Sequence, residues 1–206
     1  MSGARAARSA LPARAVLPAL LVLLLTGCVA PASARFGSAP ACAIGDDGTA
    51  ANGVLLMAQE VPTATRVPCV EGLPLGWHFA GLEAGRGEAS FWLDSDRDGA
   101  HAIEVRLTGE CDTTGATEIS SDRDGMRRLE RVTQVTPHYL GRRYYLFDGG
   151  CLTLVFTLSG DNRGEPLALA TQGVGVLRRE ELAEQVREES DGRLDLDPPR
   201  AARSPR

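Results

Sequence analysis

The sequence predicts an α+β domain, an antiparallel sheet with C-terminal covering helices and disulfide staples. Three observations lead there. Apolar residues alternate with polar ones at Ile103, Val105 and Leu107, and again at Leu152, Leu154, Phe156 and Leu158, the pattern of half-buried antiparallel strands. Strand-like segments come first and Ala/Leu-rich, helix-like segments last, which favours a sheet covered by helices over alternating βαβ units. Four cysteines, Cys42, Cys69, Cys111 and Cys151, are an even set that two disulfides would use up.

Composition removes several chemistries before any motif is read. The 206 residues carry 22 basic side chains against 27 acidic ones, a net charge of −5, and every basic one is arginine. A P-loop lysine, a Schiff-base lysine and a Ser-Lys dyad are therefore excluded. Length suits one domain of roughly 150 residues with short extras.

The chain opens with Arg5, Arg8 and Arg14 and no acid, followed by an apolar run over residues 15–25. These are the n-region and h-region of a signal peptide. A membrane-spanning helix needs about 20 apolar residues, more than this proline-interrupted run supplies. The run ends in Leu25-Thr26-Gly27-Cys28, which resembles a bacterial lipobox. The resemblance implies removal of residues 1–27 as a lipoprotein signal peptide and lipid on Cys28, a diacylglycerol with palmitate-type chains. Two acyl chains give stable anchoring at about 0.8 kcal/mol per buried methylene. The expected location is thus the extracytoplasmic face of the cell membrane. Loss of the leader and its three arginines takes the net charge from −5 to −8.

Residues 28–41 read as the lipidated cysteine and a flexible Pro/Ala/Ser tether, and residues 42–190 as the globular domain. In an exported chain Cys42, Cys69, Cys111 and Cys151 read as structural bridges. Of the three possible pairings, Cys42 with Cys69 and Cys111 with Cys151 is preferred, because the latter two lie beside clear strands. Residues 54–60 could form one short helix, ended before Pro62. Pro68-Cys69 and Leu73-Pro74-Leu75-Gly76 read as irregular loop.

From residue 77 onward the pattern is mostly strand. Besides the two alternating segments, shorter candidates are residues 77–82, 89–93, 116–119 and 143–147, separated by Gly-rich or Asp-Gly turns. Residues 127–135 are ambiguous: Leu129, Val132 and Val135 recur every three positions, whereas their Val and Thr content favours a strand. Glu165-Pro166 opens a helix to about Gln172, and Arg179 to Ser190 reads as a second, with Leu182 and Val186 on one face. Residues 191–206 read as a flexible tail.

One pentad occurs twice, Ser95-Asp96-Arg97-Asp98-Gly99 and Ser121-Asp122-Arg123-Asp124-Gly125. With Asp94 in front, the first copy begins like a calcium loop, whose alternating carboxylates converge on one hard cation. Asp94, Asp96, Asp98 and Glu104 are its candidate Ca2+ ligands. Val105 stands where that loop needs its bidentate glutamate, and Glu104 comes one residue early. The alternative is a pair of acidic β-turns.

A second candidate is a basic segment, Arg127, Arg128, Arg131, Arg142 and Arg143 against the single acid Glu130. Guanidinium forks suit carboxylate or phosphate, so the segment could meet an anionic lipid or wall polymer. The other reading pairs these arginines with nearby acids on a solvated strand face. Nucleic acid does not suit so acidic and exported a chain. Trp77, Trp92, Tyr144 and Tyr145 are expected mainly in the core, and His78, His101 and His138 lie at no metal-ligand spacing.

No catalytic residue is assigned. The chain has no Gly-x-Ser-x-Gly elbow, no His-Glu-x-x-His and no Gly-x-Gly-x-x-Gly opening a helix. The stretches Phe91-Trp92-Leu93-Asp94-Ser95-Asp96, Cys111-Asp112 and Gly149-Gly150-Cys151 resemble exported proteins of high-GC Gram-positive bacteria that carry no known activity. The expected function is a non-enzymatic binding or accessory module of the cell envelope, with another envelope protein as a partner class. The alternative is an extracytoplasmic hydrolase with a dispersed site.

Overall fold

The two alternating segments lie side by side. In the computed structural model, which describes residues 34–42, 52–159 and 164–196, β5 (Gly99–Thr108) pairs antiparallel with β9 (Gly150–Leu158). Ile103 faces Phe156, Val105 faces Leu154 and Leu107 faces Leu152, all fully buried. The leader, Cys28 and the first part of the tether lie outside the described residues, as do residues 197–206.

Around this ladder stand β1 (Ala34–Phe36), β3 (Trp77–Gly85) and β4 (Glu88–Ser95) on one side. On the other stand β8 (Tyr139–Phe147), β7 (Arg127–Gln134) and β6 (Thr117–Ile119). The result is an eight-stranded antiparallel sheet in the order β1-β3-β4-β5-β9-β8-β7-β6. Two meanders are thus joined edge to edge through β5 and β9. The tight turn between β3 and β4 places Arg86 and Gly87 at φ +62° and +81°, the two positive values whose twist matches that of the flanking strands.

The inner face is covered by α1 (Asn52–Glu60), α2 (Gly164–Gln172), α3 (Arg179–Glu189) and a ribbon of β2 (Arg66–Val70) with β10 (Val174–Arg178). Met57, Ala58, Val67, Leu167, Ala170, Val174 and Leu182 meet Leu82, Phe91, Leu93 and the β5–β9 residues in one core. Burying each large side chain there stabilises by about 1.5–3 kcal/mol. The α3 N-terminus is closed by the Glu181 carboxylate, which accepts the backbone N–H of Arg178.

Among the described residues no helix covers the outer face; the segment between β5 and β6 folds back onto it, where Cys111 and Ala116, with Leu146 of β8, pack on Leu129, Tyr144 and Cys151. A disulfide between Cys111 and Cys151 fixes that segment, and a second joins Cys42 to Cys69, with Cα atoms 5.9 and 4.9 Å apart. The antiparallel sheet, the C-terminal helices and both pairings are those expected.

Several elements differ from expectation. Pro68-Cys69 is not irregular loop but the middle of β2, whose proline faces Val176 in a two-stranded ribbon. A missing N–H is tolerated there because the ribbon has a free edge. Residues 127–134 settle as a strand, and β8 starts at Tyr139, four residues before the expected start. Part of the expected tether is paired, Ala34–Phe36 with β3 and Ala41 with Val70. The pairing is a backbone ladder, for which the sequence carries no alternating apolar pattern. The folded part runs past Asp191 to Leu196, which is buried in the core.

Two changes test this packing. A Cβ on Gly141 would stand 2.5 Å from the Phe156 ring and 2.7 Å from the Arg131 carbonyl, so Gly141→Ala should cost about 2 kcal/mol in urea unfolding. The Cys111–Cys151 bridge closes a loop with a sequence separation of 40. Its removal by a double Cys→Ser change should cost on the order of 4 kcal/mol, and a cost below about 1 kcal/mol would show that the outer segment does not need it.

Candidate functional site

The first acidic pentad forms the β4–β5 hairpin tip, and its side chains serve the turn. Ser95 donates its hydroxyl to Asp98 at 2.9 Å and accepts the amides of Arg97 and Asp98. Asp98 accepts the Ser159 amide at 2.9 Å, tying the tip to the end of β9. Asp94 accepts the amide of His101 at 2.7 Å, holding that residue at φ +53° with its ring stacked on Trp92. Asp96 lies 3.0 Å from His78 Nε2.

The structure therefore does not bring the four calcium candidates together. Glu104 stands on the outer face of β5, where Arg106 Nε and Nη2 donate to its Oε1 at 2.9 and 2.7 Å. Glu104 lies five residues further along the strand than Gly99, roughly 16 Å on an extended chain. Among the described residues no three His, Cys, Asp or Glu side chains converge as metal ligands.

The second pentad, between β6 and β7, has the same sequence and a different task. Asp122 accepts the Tyr145 hydroxyl at 2.9 Å and lies 3.5 Å from Arg128. Arg123 lies over the Tyr145 ring, 4.9 Å from its centre, and donates to the carbonyls of Thr171 and Val174. This turn clamps the sheet to the end of α2 and the start of β10. Burial pushes the Asp122 carboxyl up, but the Tyr145 hydroxyl, its own backbone amide, Arg128 and Arg123 outweigh it and hold it below the usual carboxylate range.

The five arginines of the basic segment divide between the two faces. Arg128 and Arg143, opposite Tyr145 and Leu154, point to the inner side; Arg127, Arg131 and Arg142, opposite Leu146, each other and Val155, point outward. Arg143 is buried, donating to Glu130 at 2.9 Å and to the Thr171 hydroxyl at 3.3 Å, and Arg128 lies 3.5 Å from the same glutamate. On the outside Arg127 is forked onto Glu118, and Arg131 donates to the Thr114 carbonyl. Arg131 and Arg142 also help hold Asp112 low, behind the larger effect of its hydrogen bonds from Thr114. The segment forms ion pairs and a buried tie to α2 and not one cationic surface.

The aromatic candidates divide similarly. Tyr144 and Tyr145 are buried, Trp92 lies half-buried on the outer face beside His101, and His138 is exposed in the β7–β8 turn. Trp77 is buried in the core and also lines a concavity that sequence reading missed. This cleft of about 500 Å³ is bounded by Pro74–Trp77, the tip residues Ser95–Asp98, and Glu165, Pro166 and Leu169 of α2. Its walls come from segments 20 to 90 residues apart, beyond any local pattern; the one sequence signal was Pro74-Leu75-Gly76, a turn signature that puts a leucine at a corner. A second, smaller groove on the outer face joins Glu83, Arg86, Glu88, Ser90, Trp92, Glu104 and Arg106.

Two measurements test the inner network. Glu130→Ala strands a buried guanidinium and should cost about 3 kcal/mol, whereas the double change Glu130→Leu with Arg143→Met should cost less than that single one. Because Asp122 is depressed, its contribution is complete above about pH 4 and is lost as pH falls through its folded value. Asp122→Asn should therefore cost about 1 kcal/mol at pH 7, a figure reduced for its half-exposed position, and progressively less as the pH falls through the folded value.

Compared with protein-family models, curated proteins and solved structures, the chain has no significant match to any of them.

Proposed function

We propose that this chain is an exported lipoprotein, held at the outer face of the cell membrane by lipid on Cys28, whose folded domain is a binding or accessory module of the envelope and not an enzyme. The observation that carries the module reading is the dispersal of the groups that could do chemistry. Asp94, Asp98 and Ser95 are used by the hairpin tip, Glu104 is paired with Arg106, and His78, His101 and His138 stand on separate elements. A hydrolase needs such groups to converge within hydrogen-bond reach of one reacting atom. The hydrolase reading has one observation in its favour, the His78–Asp96 pair at the cleft mouth, but the neighbouring Ser95 hydroxyl is turned to Asp98.

Export rests on the charged leader, the apolar run and Leu25-Thr26-Gly27-Cys28. The two disulfides support it, since such bridges persist in oxidising compartments. The partners this reading implies are the membrane, through the lipid, and a second envelope component, through the domain surface.

Membrane fractionation tests the anchor. The wild-type chain should stay with membranes through a carbonate wash, and Cys28→Ala should abolish processing after Gly27 and release the protein. A Cys28→Ala chain that remains membrane-bound after the wash would refute the anchor.

A further inference from the structure

The groove on the outer face of β3–β5 has three features that a solvated sheet does not need. The first is its floor. Ser90 lines the groove and is only 6% exposed, yet its hydroxyl makes no hydrogen bond among the described residues. A polar group buried so far is ordinarily satisfied, so this one is open to a hydroxyl from outside. Beside it Arg106 Nε and Nη2 both donate to Glu104 Oε1, which leaves Glu104 Oε2 as an acceptor and Arg106 Nη1 as a donor, each held in place by the fork.

The second feature is open space beside an aromatic ring. Trp92 is half-buried, and its register partners are Glu104 on β5 and Gly81 on β3. A Cβ at Gly81 would meet no atom within 4 Å, so the β3 position next to Trp92 is unfilled. The third is the support given to that ring. His101 takes φ +53°, uncommon for a residue other than glycine, while its amide donates to Asp94 and its imidazole stacks on Trp92 with centroids 5.4 Å apart. An indole so buttressed has little order left to lose on binding.

Charge does not favour an ion. Glu88 and Glu104 stand against Arg86 and Arg106 around the groove, and Glu83 is already engaged in an interaction of its own. What the site offers instead is an indole, a hydroxyl, one fixed acceptor and one fixed donor. A pyranose ring with equatorial hydroxyls matches this set, because each hydroxyl both donates and accepts while one ring face presents C–H groups alone. The groove's volume of about 230 Å³ lies below the roughly 300–1,000 Å³ of clefts for larger ligands and suits a single ring.

We propose that this groove binds one pyranose ring of a neutral glycan, its C–H face against Trp92 in the space left at Gly81 and its hydroxyls on Ser90, Glu104 and Arg106. The proposal rests on the binding-module reading and gives that module a site and a ligand class.

Isothermal titration calorimetry with chitotetraose and cellotetraose tests it, on the full chain in phosphatidylcholine nanodiscs with empty discs as blank. At least one of the two sugars should bind and shift the tryptophan fluorescence, and Trp92→Phe should remove that shift although Trp77 remains. Trp92→Ala should weaken binding about tenfold and Ser90→Ala about threefold. Gly81→Ile places a side chain where there is room for it, so the urea midpoint should hold while binding falls about tenfold. Leu75→Ser, in the cleft beside the first pentad, should leave binding unchanged. Absence of binding by both sugars, or wild-type affinity in both Trp92→Ala and Gly81→Ile, would overturn the proposal. So would tighter binding of tetragalacturonate, which would assign the groove to an anionic polymer. Mass spectrometry of the recovered sugar separates the proposal from the reading beneath it. Intact sugar supports a binding module, and Trp92-dependent cleavage would overturn the module reading and the proposal with it, whereas failure to bind overturns the proposal alone.

Discussion

An eight-stranded sheet has two faces to satisfy, and the described helices cover only one. The inner face of β3–β5, β9 and β8 is apolar and takes α1, α2, α3 and the β2–β10 ribbon. The outer face must therefore be either wettable or covered by something other than secondary structure. Both solutions are present. Over β4 and β5 it carries Ser90, Glu104 and Arg106, which water or each other can satisfy. Over β7–β9 it carries Leu129 and Tyr144, and there the segment after β5 folds back and is pinned by Cys111–Cys151. An irregular segment has few backbone bonds with which to hold itself down, so a covalent tie is effective at that place.

The same constraint explains the arginines. In a strand, neighbours in sequence point to opposite faces, so five arginines that look like one cluster in β7 and β8 become two groups. Arg128 and Arg143 enter the inner side at the rim of the core, where burying a charge is tolerated only with partners. Glu130, Asp122 and Thr171 supply them, and in doing so they attach the sheet edge to α2. The repeated pentad shows the same dependence on surroundings. Identical residues make a self-contained turn at 95–99 and a clamp at 121–125, because only the second stands opposite Tyr145 and the end of α2.

What could be read in the sequence was whatever had a short period or a simple count. The β5 and β9 alternation, the order of strands before helices and the even cysteines sufficed for fold class and bridge pairing. The β2–β10 ribbon could not be read, because Pro68 demotes the one strand and Val174–Arg178 is a five-residue link between two helices. Nor could the cleft, since nothing local places Leu75, Asp96 and Leu169 together. The carboxylates of the first pentad could be read two ways for a related reason: the first six residues suit a calcium loop and an acidic hairpin tip alike, and it is the strand that follows that carries Glu104 away from the rest.

Stability is therefore carried by one set of residues in this domain and not by the cleft beside the first pentad. The inner network of Glu130, Arg143, Tyr145 and Thr171 is buried and mutually dependent, so a change there acts first on folding. The cleft is built the opposite way. Its backbone is fixed by hydrogen bonds from Trp77 and Asp96 into the turn at Gly76, while the side chains it offers, Leu75 and Asp96, are exposed and support nothing in the core. A surface of that kind can change its side chains without disturbing the fold beneath it.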